Sequence, residues 1–129
     1  VSESPGFAER PDYRVDLLAR RNRFEVRAGE VLLASSEECL VVDEQDHGLV
    51  VYFPREHVHL DRLEPSDHVT HCPFKGDATH WQLPGGEVPV AWSYEEPYEE
   101  VARIRGRLAF YQDRVQVAIG VATPAVSGR

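Results

Sequence analysis

The sequence predicts a mainly β domain with one short helix, and three observations carry that prediction. Apolar and polar residues alternate with a period of two through most of the chain, as in half-buried strands. The alternating runs are short and end in turn chemistry such as Ala28-Gly29, Gln45-Asp46-His47-Gly48 and Pro84-Gly85-Gly86-Glu87. Only Pro97–Arg105 carries the i, i+3, i+4, i+7 spacing of a helix, through Tyr98, Val101, Ala102 and Arg105.

In chain order, residues 1–12 hold Pro5, Gly6 and Pro11 among polar residues and read as a flexible arm, pinned at most by Phe7. A single domain is expected over 13–119, and a flexible tail over 120–129. Tyr13, Val15 and Leu17 share one strand face, and Phe24 and Val26 share another. Val31–Ala34, Leu40–Val42 and Leu49–Phe53 are further short strands, the last stopped by Pro54, which cannot donate to a ladder. Arg55–His68 is polar and irregular, with a turn at Pro65-Ser66-Asp67. Thr79–Leu83 and Val88–Tyr94 should pair antiparallel across the Pro84–Glu87 turn. Pro97 suits the first position of the helix, where its missing N–H has no intrahelical partner, and Gly106 stops it. Leu108–Phe110 and Val115–Ile119 are expected to form a final hairpin across Gln112-Asp113-Arg114.

Composition bounds the function. The formal charge is −8, from 14 basic and 22 acidic residues. Nucleic-acid affinity rests largely on cations that neutralise phosphates, so a general DNA or RNA binder is not expected. Arg20, Arg21, Arg23 and Arg27 offer a local basic patch, although the alternating charges of that region more often mark the wet face of a strand. No apolar run approaches the ~18 residues of a membrane span, and no signal-peptide pattern opens the chain, which predicts a cytoplasmic protein without a membrane partner. A homodimer is compatible with this composition. Two cysteines, Cys39 and Cys72, make neither a disulfide framework nor a four-ligand zinc signature, so no metal and no cofactor is expected.

The chemistry concentrates in Thr70–Trp81, which gathers Cys72, Lys75, His71, His80 and Trp81 around Pro73 and Gly76. An ammonium near a thiol favours the thiolate, the form that acts as nucleophile. His57 or His71 would be the accompanying base, and the guanidinium of Arg55 would hold a carboxylate or phosphate in its two-pronged fork. Trp92 and Tyr94 share a strand face, and Trp81 is placed opposite them across the hairpin, with Tyr98 nearby. Aromatics with a polar tip line cavities well. The competing reading of each group is structural: Cys72-Pro73 as a buried corner, Lys75 as a capping or ion-paired side chain, and His59, His68 and His80 as solvent-facing imidazoles.

Several of these motifs together resemble the DUF427 family. They are Phe53-Pro54-Arg55-Glu56-His57-Val58, Thr70-His71-Cys72-Pro73-Phe74-Lys75-Gly76-Asp77-Ala78, Ala91-Trp92-Ser93-Tyr94, Glu96-Pro97-Tyr98, Leu108-Ala109-Phe110-Tyr111 and Asp113-Arg114-Val115. The resemblance spans about residues 15–118 and departs from the family at His80, where members carry an aromatic. It implies a β-tent-like architecture, in which two antiparallel sheets lean together over a cleft, as in the thalidomide-binding domain of cereblon and methionine sulfoxide reductase B. Those relatives bind zinc through Cys-x-x-Cys pairs, which this chain lacks. The nucleotidyltransferase-like label attached to the family finds no acidic pair in a Gly-Ser context here. Fold analogy leaves the activity open.

Two functional expectations follow. The first is a small-molecule-binding domain whose pocket is lined by Trp81, Trp92, Tyr94 and Tyr98. Arg55 and Lys75 would supply positive charge for an anionic or carbonyl-rich ligand. The second is a small enzyme using Cys72 as nucleophile or acid, His57 or His71 as proton shuttle, and Lys75 with Arg55 to stabilise developing negative charge. A structural or partner-interaction module is the third alternative.

Overall fold

The computed structural model describes residues 2–120. Ten strands form three antiparallel sheets among the described residues, confirming the mainly β class while giving three sheets where two were expected. The first sheet comprises β1 (Val15–Ala19), β4 (Leu40–Glu44) and β5 (Gly48–Tyr52), in the order β1-β4-β5. The second has the order β10-β2-β3, from β2 (Phe24–Ala28), β3 (Val31–Ser36) and β10 (Gln116–Ile119). The third is a meander, β6-β7-β8-β9, built from β6 (Glu64–Cys72), β7 (Gly76–Gln82), β8 (Pro89–Ser93) and β9 (Leu108–Phe110).

One seam joins the first and third sheets. Phe53 and Leu108 exchange two backbone hydrogen bonds, of 2.8 and 3.0 Å, just past the end of β5 and at the start of β9. Beyond that seam the two sheets diverge and face each other. The two-residue period then sorts the core into two clusters. On β4 and β5, Val41, Val51 and the following Phe53 point toward the second sheet, where they meet Phe24, Val26 and Leu33. Leu40, Val42 and Tyr52 point the other way and pack with Ala78, Tyr94, Val101 and Ile104. Both faces of β4 are therefore covered, which explains its unbroken apolar start.

Four expectations need correction. Leu108–Phe110 and Val115–Ile119 are not a hairpin: β9 pairs with β8, while the chain crosses over so that β10 pairs with β2. Leu108 and Phe110 pack against both Phe53 and the second sheet, so burial outweighs the short loop between the strands. The Pro97–Arg105 helix is shorter and tighter, a 3₁₀ segment over Glu99–Ile104 broken at Val101 (φ −124°, ψ 28°). Its apolar spacing survives because Val101 and Ile104 are both buried. Pro65-Ser66-Asp67 lies within β6 at a register irregularity, on an edge strand where proline is tolerated.

The last correction concerns the arm at 1–12. Pro5–Glu9 is a short helix, α1, capped by the Ser4 hydroxyl, which accepts from the Phe7 N–H. The Gly6 N–H and the Ser4 hydroxyl both donate to the Pro73 carbonyl, at 2.9 and 2.6 Å. Phe7 meets Phe74 edge-on, and Tyr13 stacks on Phe74 at 4.1 Å between centroids, so three rings dock the segment. Most of the tail expected at 120–129, from residue 121 onward, lies outside the described residues. No helix among the described residues is long and apolar enough to cross a membrane.

Candidate functional site

A cavity of about 340 Å³ opens between the first and third sheets, on the side away from the second. Strand parity builds it. Val42 and Glu44 continue the inner face of β4, and Val50 and Tyr52 continue that of β5. Thr70, Cys72, Ala78, His80 and Trp92 face them from β6, β7 and β8, with Tyr94 and Tyr111 at the ends. The strand face that buries Leu40 and Val42 thus carries a carboxylate two residues further on.

That carboxylate meets the only lysine of the chain. Lys75 sits in the β6–β7 turn, whose backbone is shaped by Gly76 at φ +116°, a conformation glycine adopts freely. Lys75 is 6% exposed, and its ammonium donates to Oε1 of Glu44, itself buried. The Tyr13 hydroxyl donates to Oε2 at 2.6 Å, and His47 stands 3.6 Å from the same oxygen at the exposed rim. Burial acts to raise the Glu44 carboxyl, but the hydrogen bonds from Lys75 and Tyr13 outweigh it and hold the group below the usual carboxylate range. Burial, and next the Glu44 hydrogen bond, push the Tyr13 phenol up to about 12.

The opposite pole is aromatic. The Trp92 indole N–H donates to the Tyr52 hydroxyl at 3.2 Å, and the Trp92 ring packs 4.6 Å from that of Tyr111. Having accepted from Trp92, the Tyr52 hydroxyl keeps its own proton to donate. Burial raises the Tyr52, Tyr94 and Tyr111 phenols, so they remain neutral donors over the ordinary pH range. His80 lies nearly parallel to Tyr111, with Nε2 3.0 Å from its hydroxyl. His80 is 1% exposed rather than solvent-facing, because β7 turns even-numbered residues inward. Among the described residues its Nδ1 has no hydrogen-bond partner, and burial, then the neighbouring His68, lower its affinity for a proton.

Of the residues singled out in the sequence, Cys72, Lys75, Trp92 and Tyr94 converge on this cavity. Trp81 does not. In the β7–β8 register His80 is opposite Trp92 and Trp81 opposite Ala91, so Trp81 falls on the other face. There its indole donates to Ser93 at 3.1 Å, and the Arg55 guanidinium lies over its ring at 5.3 Å. Arg55 also pairs with Glu95 at 3.1 Å and donates to the Gly106 carbonyl at 3.1 Å. Tyr98 borders a separate concavity with His71, Asp77, Glu95 and Glu96. His57 is engaged 2.7 Å from the Ser36 hydroxyl, and His71 pairs with Asp77 in the open, so neither imidazole lines the cavity with Cys72. No group of three or more His, Cys, Asp or Glu side chains among the described residues is set to hold a metal ion.

Glu44, Tyr52, His80 and Tyr111 line the cavity but were not among the binding or catalytic candidates. The signals were present: Glu44 keeps the alternation of Leu40 and Val42, and Tyr52 the alternation of Val50. A lone lysine in a chain otherwise using arginine was a further signal. The model of a family described as a domain of unknown function (DUF427) matches residues 16–120, which hold every cavity-lining residue. No curated protein matches the chain.

Proposed function

The chain belongs to the DUF427 family, and from that premise we propose that its cavity binds a small planar ligand bearing a carbonyl group. One observation carries this reading: a cavity of about 340 Å³ with an aromatic wall at one end and a buried Lys75–Glu44 pair at the other. Pockets that bind small molecules combine an apolar lining with a few convergent polar groups. Trp92 and Tyr111 offer ring faces, the tyrosine hydroxyls are neutral donors, and Lys75 adds an ammonium. Because Glu44 already balances that ammonium and Arg55 lies on the other face of the sheet, a neutral carbonyl compound suits the site better than an anion.

Thr70 lines the cavity at an exposed position and provides the test. In Thr70→Trp the mouth should be blocked without disturbing the core. A set of aromatic aldehydes, ketones and amides is screened for thermal stabilisation of the parent chain. The expected result is a shift in the parent that disappears in Thr70→Trp while the unliganded midpoint stays close to the parent value. Hits that stabilise both chains equally would place binding elsewhere.

A second reading has one specific observation in its favour: Cys72, His80 and Lys75 line the same cavity. That grouping makes the site suited to acid–base or nucleophilic chemistry on the bound ligand, with His80 in the place given to His57 from sequence.

A further inference from the structure

We propose that Lys75 captures its ligand covalently, condensing with an aldehyde or ketone to form an iminium ion whose counter-ion is Glu44. The proposal rests on the carbonyl-binding reading above and extends it from binding to bond formation.

Three observations converge on it. First, Lys75 is the only lysine, and the rest of the 14 Lys and Arg side chains are arginine. An ion pair needs no lysine, since the guanidinium fork matches a carboxylate better. A primary amine is needed where nitrogen must act as nucleophile. Second, this amine is buried and lines a cavity, with Glu44 as its ion-pair partner. Third, that carboxylate has a supporting hydrogen bond from Tyr13 and lies 3.6 Å from His47 at the rim, so it is oriented and linked to solvent.

The steps balance without any redox partner. Glu44 takes one proton from the Lys75 ammonium, and the freed amine attacks the carbonyl carbon. The C–N bond forms as the C=O π pair moves to oxygen, and nitrogen hands that oxygen a proton to give a carbinolamine. Glu44 returns its proton to the hydroxyl, which leaves as water while the nitrogen lone pair closes the C=N bond. Ammonium and aldehyde have become iminium and water, with atoms and charge conserved. The positive charge stays where the ammonium was, so Glu44 is never left buried and unpaired, an outcome that would be costly.

Benzaldehyde is the probe, with benzyl alcohol as its non-condensing match, and sodium borohydride converts any iminium into a stable amine. The reduced chain is read by intact mass and peptide mapping, with the α-amino group as internal reference. The expected result is that Lys75 labels at least about tenfold faster in the folded chain than in urea, relative to the α-amino group, through orientation in the cavity. Glu44→Gln should slow that labelling about a hundredfold, the scale of a lost proton-transfer group. Lys75→Arg should abolish it while keeping the cation. Folded Lys75 labelling no faster than in urea overturns the proposal, whether or not the Glu44 variant folds. Benzyl alcohol binding is followed by Trp92 fluorescence in a Trp81→Phe background. If the alcohol binds without Lys75 labelling, covalent capture fails and non-covalent binding stands. If neither occurs, both readings fall for this class of ligand.

Discussion

Glu44 and Lys75 reach each other from different sheets, one from the end of β4 and the other from the β6–β7 turn. Their contact bridges the cavity opposite the Phe53–Leu108 seam, and both side chains are more than nine-tenths buried. Removing one partner would strand the other as an unpaired buried charge. Lys75→Ala should therefore lower stability by about 3–5 kcal/mol, and pairing it with Glu44→Ala should recover a large part of that loss. Urea unfolding of the two single variants and the double variant measures the coupling. Strict additivity would mean that the pair contributes nothing as a pair.

Gly6 provides a second prediction. A Cβ there would lie 2.8 Å from the Pro73 carbonyl oxygen and 2.7 Å from the Phe74 ring. Backbone on one side cannot yield as a flexible side chain would. Gly6→Ala should cost about 1–3 kcal/mol, the range for forced overpacking, and speed hydrogen exchange of the Lys75 amide. Unchanged exchange at Lys75 would separate α1 from the turn it docks against.

Titration of His80 gives a pH dependence with a definite sign. Its folded-state affinity for protons is depressed by burial and by His68, so the unfolded chain binds the proton more readily. The neutral imidazole contributes its stability in full above about pH 6.5, and that contribution is lost as pH falls from there toward the lower folded value. The parent should thus lose stability over this interval faster than His80→Phe does. Parallel urea midpoints across the interval would contradict it.

The two thiols should behave differently. Cys39 is 1% exposed, and burial pushes its pKa up to about 11, whereas Cys72 lines the cavity. Near neutral pH a thiol reagent should modify Cys72 first in the folded chain and Cys39 only as it opens. Peptide mapping at partial modification distinguishes the order.

Arg55 should matter little to the cavity. Its pair with Glu95 is more than a third exposed on both sides, and its stacking partner Trp81 faces away from the site. Arg55→Ala is expected to change stability by no more than about 1 kcal/mol and to leave cavity binding intact. Loss of binding in this variant would reopen the other face of β7 as a ligand surface.

What the sequence revealed followed from local rules. The Pro84–Glu87 turn and its flanking strands were legible because turn chemistry and a two-residue period act over a few residues. Trp92 and Tyr94 were legible as one strand face from the same period, and Cys72 and Lys75 as neighbours from the Thr70–Trp81 segment. Facing relations were harder. Placing Trp81 opposite Trp92 requires the register across the hairpin, and a single-residue difference exchanges Trp81 for His80. Glu44 and Lys75 lie 31 positions apart, and no periodicity links them. The split of β9 from β10 likewise depends on sheets that local spacing does not describe.

The family match begins at residue 16, after Tyr13 and α1. A chain trimmed to that boundary would keep every strand except the first residue of β1, yet it would lose the phenol that orients Glu44. It would also lose the clasp that Ser4 and Gly6 close on Pro73. Such a fragment should fold as sheets while its only lysine sits in a turn with less to hold it. In this protein the limits of sequence similarity and the limits of the site are different lines.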